Sequence, residues 1–304
     1  MTKAIVEVSI ALLFHRTQVL VGWREAKQHQ GNKYEFPGGK VEQGETPEQA
    51  CRREVLEEVG IVLEQLHQFD VIRHEYDDIH VHLHLFQAYI SDAQISKINA
   101  PWAWYRREQL SELPFPKAND AIIQRLQWPH QIKISEQIQQ IKALSPDQML
   151  YLRINTLSAQ DMNIINALSE VERQKLIINV QIWQSLSADV KRNIGAVHFK
   201  TAQLLDESML EEQHQALVGV RTLAACHDQT TVTLAHKHGF DAVLLSPVLH
   251  TPTHKDTKAL GWDHFGKIAK NSHVPVFALG GMKPEDLDLA QKYAGYGVAG
   301  IRHF

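Results

Sequence analysis

Three glutamates, Glu54, Glu57 and Glu58, stand within five positions of one another. At 100° per residue they share an arc of about 100° on a helix, beside an apolar stripe of Cys51, Val55 and Val59. Like charges three and four residues apart repel by roughly 0.2–0.5 kcal/mol per pair, so the cluster is unfavourable unless something cationic sits against it. A hard divalent ion, ligated by carboxylate and carbonyl oxygens, reverses that sign. Taken alone, the run also reads as a solvated helix face, the usual fate of such charges.

The elements that must hold these carboxylates are specified locally. Thr46 is a good N-cap, Pro47 suits the first helical position, and Gln49 completes a Thr-x-x-Gln capping box. Gly60 supplies the terminating residue, so a helix is predicted over 47–59. Just upstream, Gly38 and Gly39 let backbone approach a ligand closely, because no Cβ intervenes. A glycine loop beside a glutamate helix suits Mg2+, or Mn2+ in its place, because Mg2+ prefers sites shared between a few carboxylates and substrate phosphates.

The chain has 304 residues, which gives a prior of two domains with two buried cores. Its formal charge of −4 comes from 31 basic and 35 acidic residues, with the acidic excess before Trp128. No basic field for gripping a nucleic-acid backbone is visible, so direct nucleic-acid binding is not expected. Cys51 and Cys226 are far apart and fit neither a disulfide framework nor a thiolate zinc site, as expected of a reducing cytoplasm. The apolar stretch from Ala4 to Phe14 lacks a basic flank and a small-residue cleavage site; a strand is expected there rather than a signal peptide. No apolar run nears the roughly 18 residues that span a bilayer, so no membrane association is expected.

From 4 to 128 the pattern is strand, turn, strand, glycine loop, helix, further strands and a closing helix ended by Trp128–Pro129. Beyond it, eight short apolar strands alternate with helical stretches, at 132–135, 149–154, 176–180, 196–199, 221–226, 242–246, 274–279 and 297–301. That alternation argues for parallel βα units closing into a barrel. The expected organisation is α/β throughout, with domains at 1–129 and 130–304.

Gly39, Glu45, Arg53, Glu54, Glu57, Glu58 and Gly60, with apolar Val55 and Ile61, fit the Nudix box G-x5-E-x7-R-E-U-x-E-E-x-G-U without a mismatch. This removes the solvated-face reading. The first part therefore resembles the Nudix superfamily, and within it the MutT-type 8-oxo-dGTP diphosphatases, which share EFPGGK and GETPEQA. The resemblance implies an α/β/α sandwich with Mg2+ held by Glu57, Glu58 and the Gly38 carbonyl. Glu54 is then a metal ligand or the base for the attacking water, Arg53 orients a box glutamate, and Glu45 braces the loop. The implied reaction converts a nucleoside triphosphate to the monophosphate and diphosphate by water-driven substitution at phosphorus.

Outside the box, the resemblance implies substrate contacts at Arg24, Phe36, Gly39, Asp78 and Asn119. The Asn119 amide can donate and accept at once to the edge of an oxidised guanine, or it can cap the helix that follows. Ile79 departs from the family's arginine, and 97–99 lacks a counterpart of a further metal-binding glutamate. His80, His82 and His84 alternate with Val81, Leu83 and Leu85, making one strand face histidine-rich. A half-exposed strand accounts for this better than a zinc site, since no acid to support the imidazoles is evident.

The second part resembles thiamine phosphate synthase, a TIM barrel, through YLRI, IIN, AVHF, ACH, SPVLHTPTHK, PVFALGGM and GVAGI in order. The resemblance implies a phosphate site at Gly280, Gly281 and Gly300, and a thiamine-related phosphate ligand. Where the family has Asn-Asp, this chain has Asn179–Val180; where it has an acidic residue after the fourth strand, Thr201, Ala202 and Gln203 stand. The family's loop lysine becomes His254, with Lys255 next. A barrel that binds but does not synthesise is expected. Two enzymatic readings follow: clearance of 8-oxo-dGTP, or a housecleaning pyrophosphatase for thiamine-pathway diphosphates served by the barrel. A third makes the barrel a regulatory module.

Overall fold

The apolar run near the start of the chain is strand β1 (Ala4–His15), buried from residue 9 onward, as a central strand covered on both faces must be. The structure, a computed structural model, describes residues 3–26, 31–250 and 258–304, which divide into units Met1–Trp128 and Pro129–Phe304. In the first unit β1 is followed by β2 (Gln18–Arg24), β3 (Lys33–Glu35), β4 (Gly38–Lys40), α1 (Pro47–Val59), β5 (His67–Glu75), β6 (Ile79–Tyr89), α2 (Asp92–Ile95), β7 (Trp102–Arg106) and α3 (Asp120–Leu126).

The sheet runs β3-β2-β1-β6-β5, with β4 paired to β1 and β7 to β2. β1 and β6 are parallel in one long register, from Ala4 opposite Ile79 to Phe14 opposite Tyr89. Strand alternation then builds two cores. Ala11, Leu13, Phe86 and Ala88 pack with Cys51, Val55 and Val59 of α1, while Ile10, Leu12, Phe14, Val81, Leu83 and Leu85 pack with Ile122 and Leu126 of α3. Helices on both faces make the α/β/α sandwich that the resemblance implies.

Pro47 and Val59 bound α1 as predicted, with both halves of the Thr46–Gln49 capping box formed and Gly60 at φ +79°. The closing helix α3 ends at Leu126, with Gln127 already extended, ahead of Trp128, the residue that Pro129 restricts.

The second unit is a closed barrel of eight parallel strands: β8 (Gln131–Ser135), β9 (Gln148–Leu152), β10 (Leu176–Asn179), β11 (Ala196–Phe199), β12 (Thr222–Cys226), β13 (Ala242–Leu245), β14 (Val276–Leu279) and β15 (Gly297–Gly300), with β15 closing on β8. All eight predicted strands are present, several one or two residues shorter at their ends. Between β8 and β9 the connection is a 3-10 helix, Ile138–Ala143, rather than an α-helix.

Candidate active site

β4 lays the glycine pair against β1, with Ser9 opposite Gly39 and Ile10 opposite Gly38. Gly38 has φ +149°, and a Cβ there would collide with the Ser9 carbonyl oxygen. A Cβ on Gly39 would enter the Glu54 carboxylate. The two glycines therefore do separate things: Gly38 brings backbone onto β1, and Gly39 lets a box glutamate lie directly on the loop.

Arg53 ties loop and helix together. Its guanidinium donates twice to Glu45, Nη2 to Oε1 at 2.7 Å and Nε to Oε2 at 3.2 Å, and Nη2 also reaches the Lys40 carbonyl at 3.2 Å. Nη1 donates to Glu54 Oε1 at 2.8 Å and to Glu57 Oε2 at 3.4 Å. Glu45 in turn accepts from the Glu42 amide at 2.7 Å, and its carboxyl is held below the usual range, first by Arg53 and then by that amide. The same contacts keep Arg53 charged under all ordinary conditions.

Glu58 has the opposite environment. Its carboxylate accepts from the Gly38 amide at 3.0 Å. As a residue Glu58 is solvent-exposed, yet its carboxyl end is largely enclosed by protein. Enclosure first, and then the negative charges of Glu35 and Glu54, push its pKa up to about 7 despite the Gly38 amide. The helix beneath is pinned by Trp102, whose Nε1 donates to the Glu58 carbonyl at 2.9 Å. Neither Glu35 nor Trp102 was singled out in the sequence; the cross-strand position of Glu35 beside β2 is the only signal that could have found it.

Among the described residues no three His, Cys, Asp or Glu groups converge as a formed metal site. Glu54 and Glu57 are drawn to Arg53, and Glu58 to Gly38. The donor set nevertheless fits a hard divalent cation: three carboxylates of one helix stand beside the glycine strand, and burial together with the neighbouring negative charges of Glu35 and Glu54 raises the Glu58 pKa against the pull of Arg24 and the Gly38 amide.

The remaining predicted residues spread widely. Arg24 pairs with Glu35 at 2.5 Å, beside the carboxylate cluster. Phe36 is buried and stacks on Phe115, with centroids 5.0 Å apart, so it supports the segment leading to Asn119. Asn119 is 7% exposed and stands at the N-cap position of α3, where its side chain makes no cap bond. Asp78 is exposed in the β5–β6 turn. Its neighbour Ile79 pairs with Ala4, five residues from Ser9, or roughly 17 Å along β1. The structure thus does not bring Asp78 to the glutamates.

His82 and His84 are half-buried and share one acid that the sequence did not reveal. Glu7 of β1 bonds His82 Nδ1 through Oε1 at 3.0 Å and His84 Nε2 through Oε2 at 2.6 Å. Each imidazole takes a different carboxylate oxygen, so this is a bridge across the sheet rather than a convergent zinc site. The Glu7 carboxyl is held below its usual range by the two imidazoles.

In the barrel, Gly280 and Gly281 have φ +103° and +75°, and any Cβ on them would press on Pro247 and Leu249. Gly300 lies under the Phe304 ring. Asn179 caps the following helix through the Ile182 amide at 2.9 Å and donates to the Ile154 carbonyl at 2.7 Å, next to buried Val180. Gln203 is buried and accepts from the Lys200 amide at 2.8 Å. His254 and Lys255 lie outside the described residues.

A family model for the Nudix domain matches residues 9–125, and one for thiamine monophosphate synthase matches residues 133–304, more than half of the chain. The 8-oxo-dGTP diphosphatase of Escherichia coli (strain K12) is 37% identical over 110 residues, covering 36% of this chain and 85% of that protein. That of Haemophilus influenzae is 33% identical over 129 residues, covering 41% of this chain and 94% of that protein. A putative thiamine-phosphate synthase 2 of Aquifex aeolicus is 31% identical over 140 residues, 46% of this chain and 71% of that protein. The chain belongs to both families, one in each unit. Its N-terminal unit is a Nudix hydrolase acting on phosphoanhydride bonds, and its C-terminal unit is a thiamine phosphate synthase-like barrel. Among the described residues no helix is long and apolar enough to cross a membrane.

Proposed function

We propose that the Nudix unit is a Mg2+-dependent nucleoside triphosphate pyrophosphohydrolase that converts 8-oxo-dGTP to 8-oxo-dGMP and diphosphate, clearing oxidised guanine from the nucleotide pool of the cytoplasm. The observation that carries the substrate assignment is Asn119, a buried amide that makes no side-chain cap bond, in a unit that is 37% and 33% identical, over 110 and 129 residues, to proteins named for that activity. Its amide can read both a donor and an acceptor on a base edge.

Glu57, Glu58 and the Gly38 carbonyl would hold the metal, which would supply positive charge to the polyphosphate and acidify water, with Glu54 taken as the base rather than as a further ligand. Everything else is done by the chain. Arg53 fixes Glu54 through Oε1 and leaves Oε2 to accept a proton from the attacking water. As the water oxygen bonds to phosphorus, the anhydride P–O bond breaks and its electron pair leaves with diphosphate. Glu45 holds Arg53 from the other side, so the base is positioned by a closed chain of contacts rather than by one bond.

A panel of 8-oxo-dGTP, dGTP, ADP-ribose and thiamine diphosphate with Mg2+, compared by kcat/KM, tests the assignment. Glu54→Gln should lower kcat by roughly 10²–10⁴-fold. Asn119→Ala should cost about tenfold or more for 8-oxo-dGTP and little for dGTP. If Asn119→Ala leaves 8-oxo-dGTP turnover untouched while Glu54→Gln abolishes it, the hydrolase chemistry stands and the oxidised-guanine substrate falls. Preference for thiamine diphosphate would instead favour the housecleaning reading, which the fused barrel motivates.

A further inference from the structure

Glu35 ends β3, three positions before Gly38. It brings a fourth carboxylate to a neighbourhood that already holds Glu54, Glu57 and Glu58, and its charge is among those that raise the Glu58 pKa. A site that must admit a polyphosphate gains nothing from further negative charge unless that carboxylate serves a cation.

The cation is Arg24. In the register of β2 and β3, Glu35 lies opposite Gly22 and Arg24 opposite Lys33, so Glu35 and Arg24 are diagonal neighbours on one face of the sheet. A Cβ on Gly22 would stand 2.7 Å from the Trp102 ring, so the indole fills the place directly across from Glu35. Glu35 reaches along the diagonal instead, and its Oε2 accepts from Arg24 Nη2 at 2.5 Å, with both side chains half-buried. The same indole donates to the Glu58 carbonyl, so this pair and the end of α1 share one wall. Strand pairing does not call for the carboxylate, because β2 and β3 are already joined by their ladder and by the edge contact of Trp23 with Tyr34, centroids 4.9 Å apart. Arg53 is taken up by Glu45, Glu54 and Glu57, whereas Arg24 is the cation that acts on Glu58 from outside the helix.

We propose that Glu35 is a positioning residue, which holds the Arg24 guanidinium in one orientation at the edge of the glutamate cluster, where Arg24 receives the polyphosphate of the substrate. This rests on the nucleoside triphosphate reading of the site and is independent of the oxidised base. An arginine stem left alone samples many rotamers, and fixing one before the substrate arrives removes that ordering cost from binding.

The test compares KM and kcat for dGTP and 8-oxo-dGTP with Mg2+ in wild type, Glu35→Ala, Glu35→Gln, Arg24→Ala and the double alanine variant. Glu35→Ala should raise KM about tenfold for both nucleotides and leave kcat within about twofold. Glu35→Gln should keep KM near the wild-type value, because its amide oxygen still accepts from Arg24. In the Arg24→Ala background Glu35→Ala should have no further effect, since the group it positions is gone. Calorimetric binding of dGTP to the Glu54→Gln chain should weaken by the same factor when Glu35→Ala is added, a readout that needs no turnover. Effects of Arg24→Ala and Glu35→Ala that multiply, damage from Glu35→Gln equal to that from Glu35→Ala, or a fall in kcat in place of the rise in KM overturns the proposal. A wild type that does not distinguish the two nucleotides removes the oxidised-guanine assignment alone, and the comparison of variants is then read on dGTP.

Discussion

Glu58 is where sequence chemistry and structural electrostatics meet. Crowding was readable from the spacing of Glu54, Glu57 and Glu58, but the direction in which each carboxylate turns was not, because Arg53 pulls two of them toward Glu45 while Glu58 takes the Gly38 amide. A folded-state pKa raised from 4.5 to about 7 stabilises the metal-free fold most below the unfolded value, and that stabilisation is lost as pH rises through 7. The melting temperature of EDTA-treated protein should therefore fall between pH 4.5 and 7, and the fall should shrink in Glu58→Gln. Saturating Mg2+ should remove most of it by supplying the missing counter-ion. Superimposable pH profiles for wild type and Glu58→Gln would show that Glu58 is not the crowded group. Glu7 illustrates what stays hidden: alternation told that His82 and His84 share a face, but a partner 75 residues away depends on the parallel register of β1 and β6.

At the scale of elements, α1 was legible to the residue because its start and stop signals are local: Thr46, Pro47, Gln49 and Gly60 act within one turn of each end. Removing the cap with Thr46→Ala should cost about 1 kcal/mol of stability in denaturant unfolding. Because Glu54 is held by Arg53 rather than by the cap, kcat should change little. Gly39→Ala reverses this pattern. Its new Cβ meets the Glu54 carboxylate, whose displacement should lower kcat on the order of 100-fold with a small effect on the unfolding midpoint. If both variants lose stability and turnover in parallel, loop and helix do not have these separate roles. The β-strand boundaries were less legible, since apolar runs continue past the last ladder bond, as at 149–154 against β9. The 3-10 connection between β8 and β9 had no distinct sequence mark.

For the molecule as a whole, βα alternation sufficed to foresee a closed barrel, because eight apolar strands at regular spacing have few other ways to bury both faces. Whether that barrel does chemistry depends on single positions at its strand ends. Asn179 spends its side chain on the Ile182 amide and the Ile154 carbonyl, Val180 is wholly buried, and Gln203 closes a turn with Lys200. None can supply the negative charge that a metal-assisted departure of diphosphate requires, and restoring an acid at 180 would bury it among apolar neighbours at a cost of several kcal/mol. We therefore expect no thiamine phosphate when the chain is incubated with the pyrimidine diphosphate and thiazole phosphate substrates and Mg2+. Product above the level of a no-enzyme control would show that the barrel departs diphosphate without those acids. In the expected outcome the hydrolytic unit carries the turnover of this chain, and the barrel contributes through what it binds.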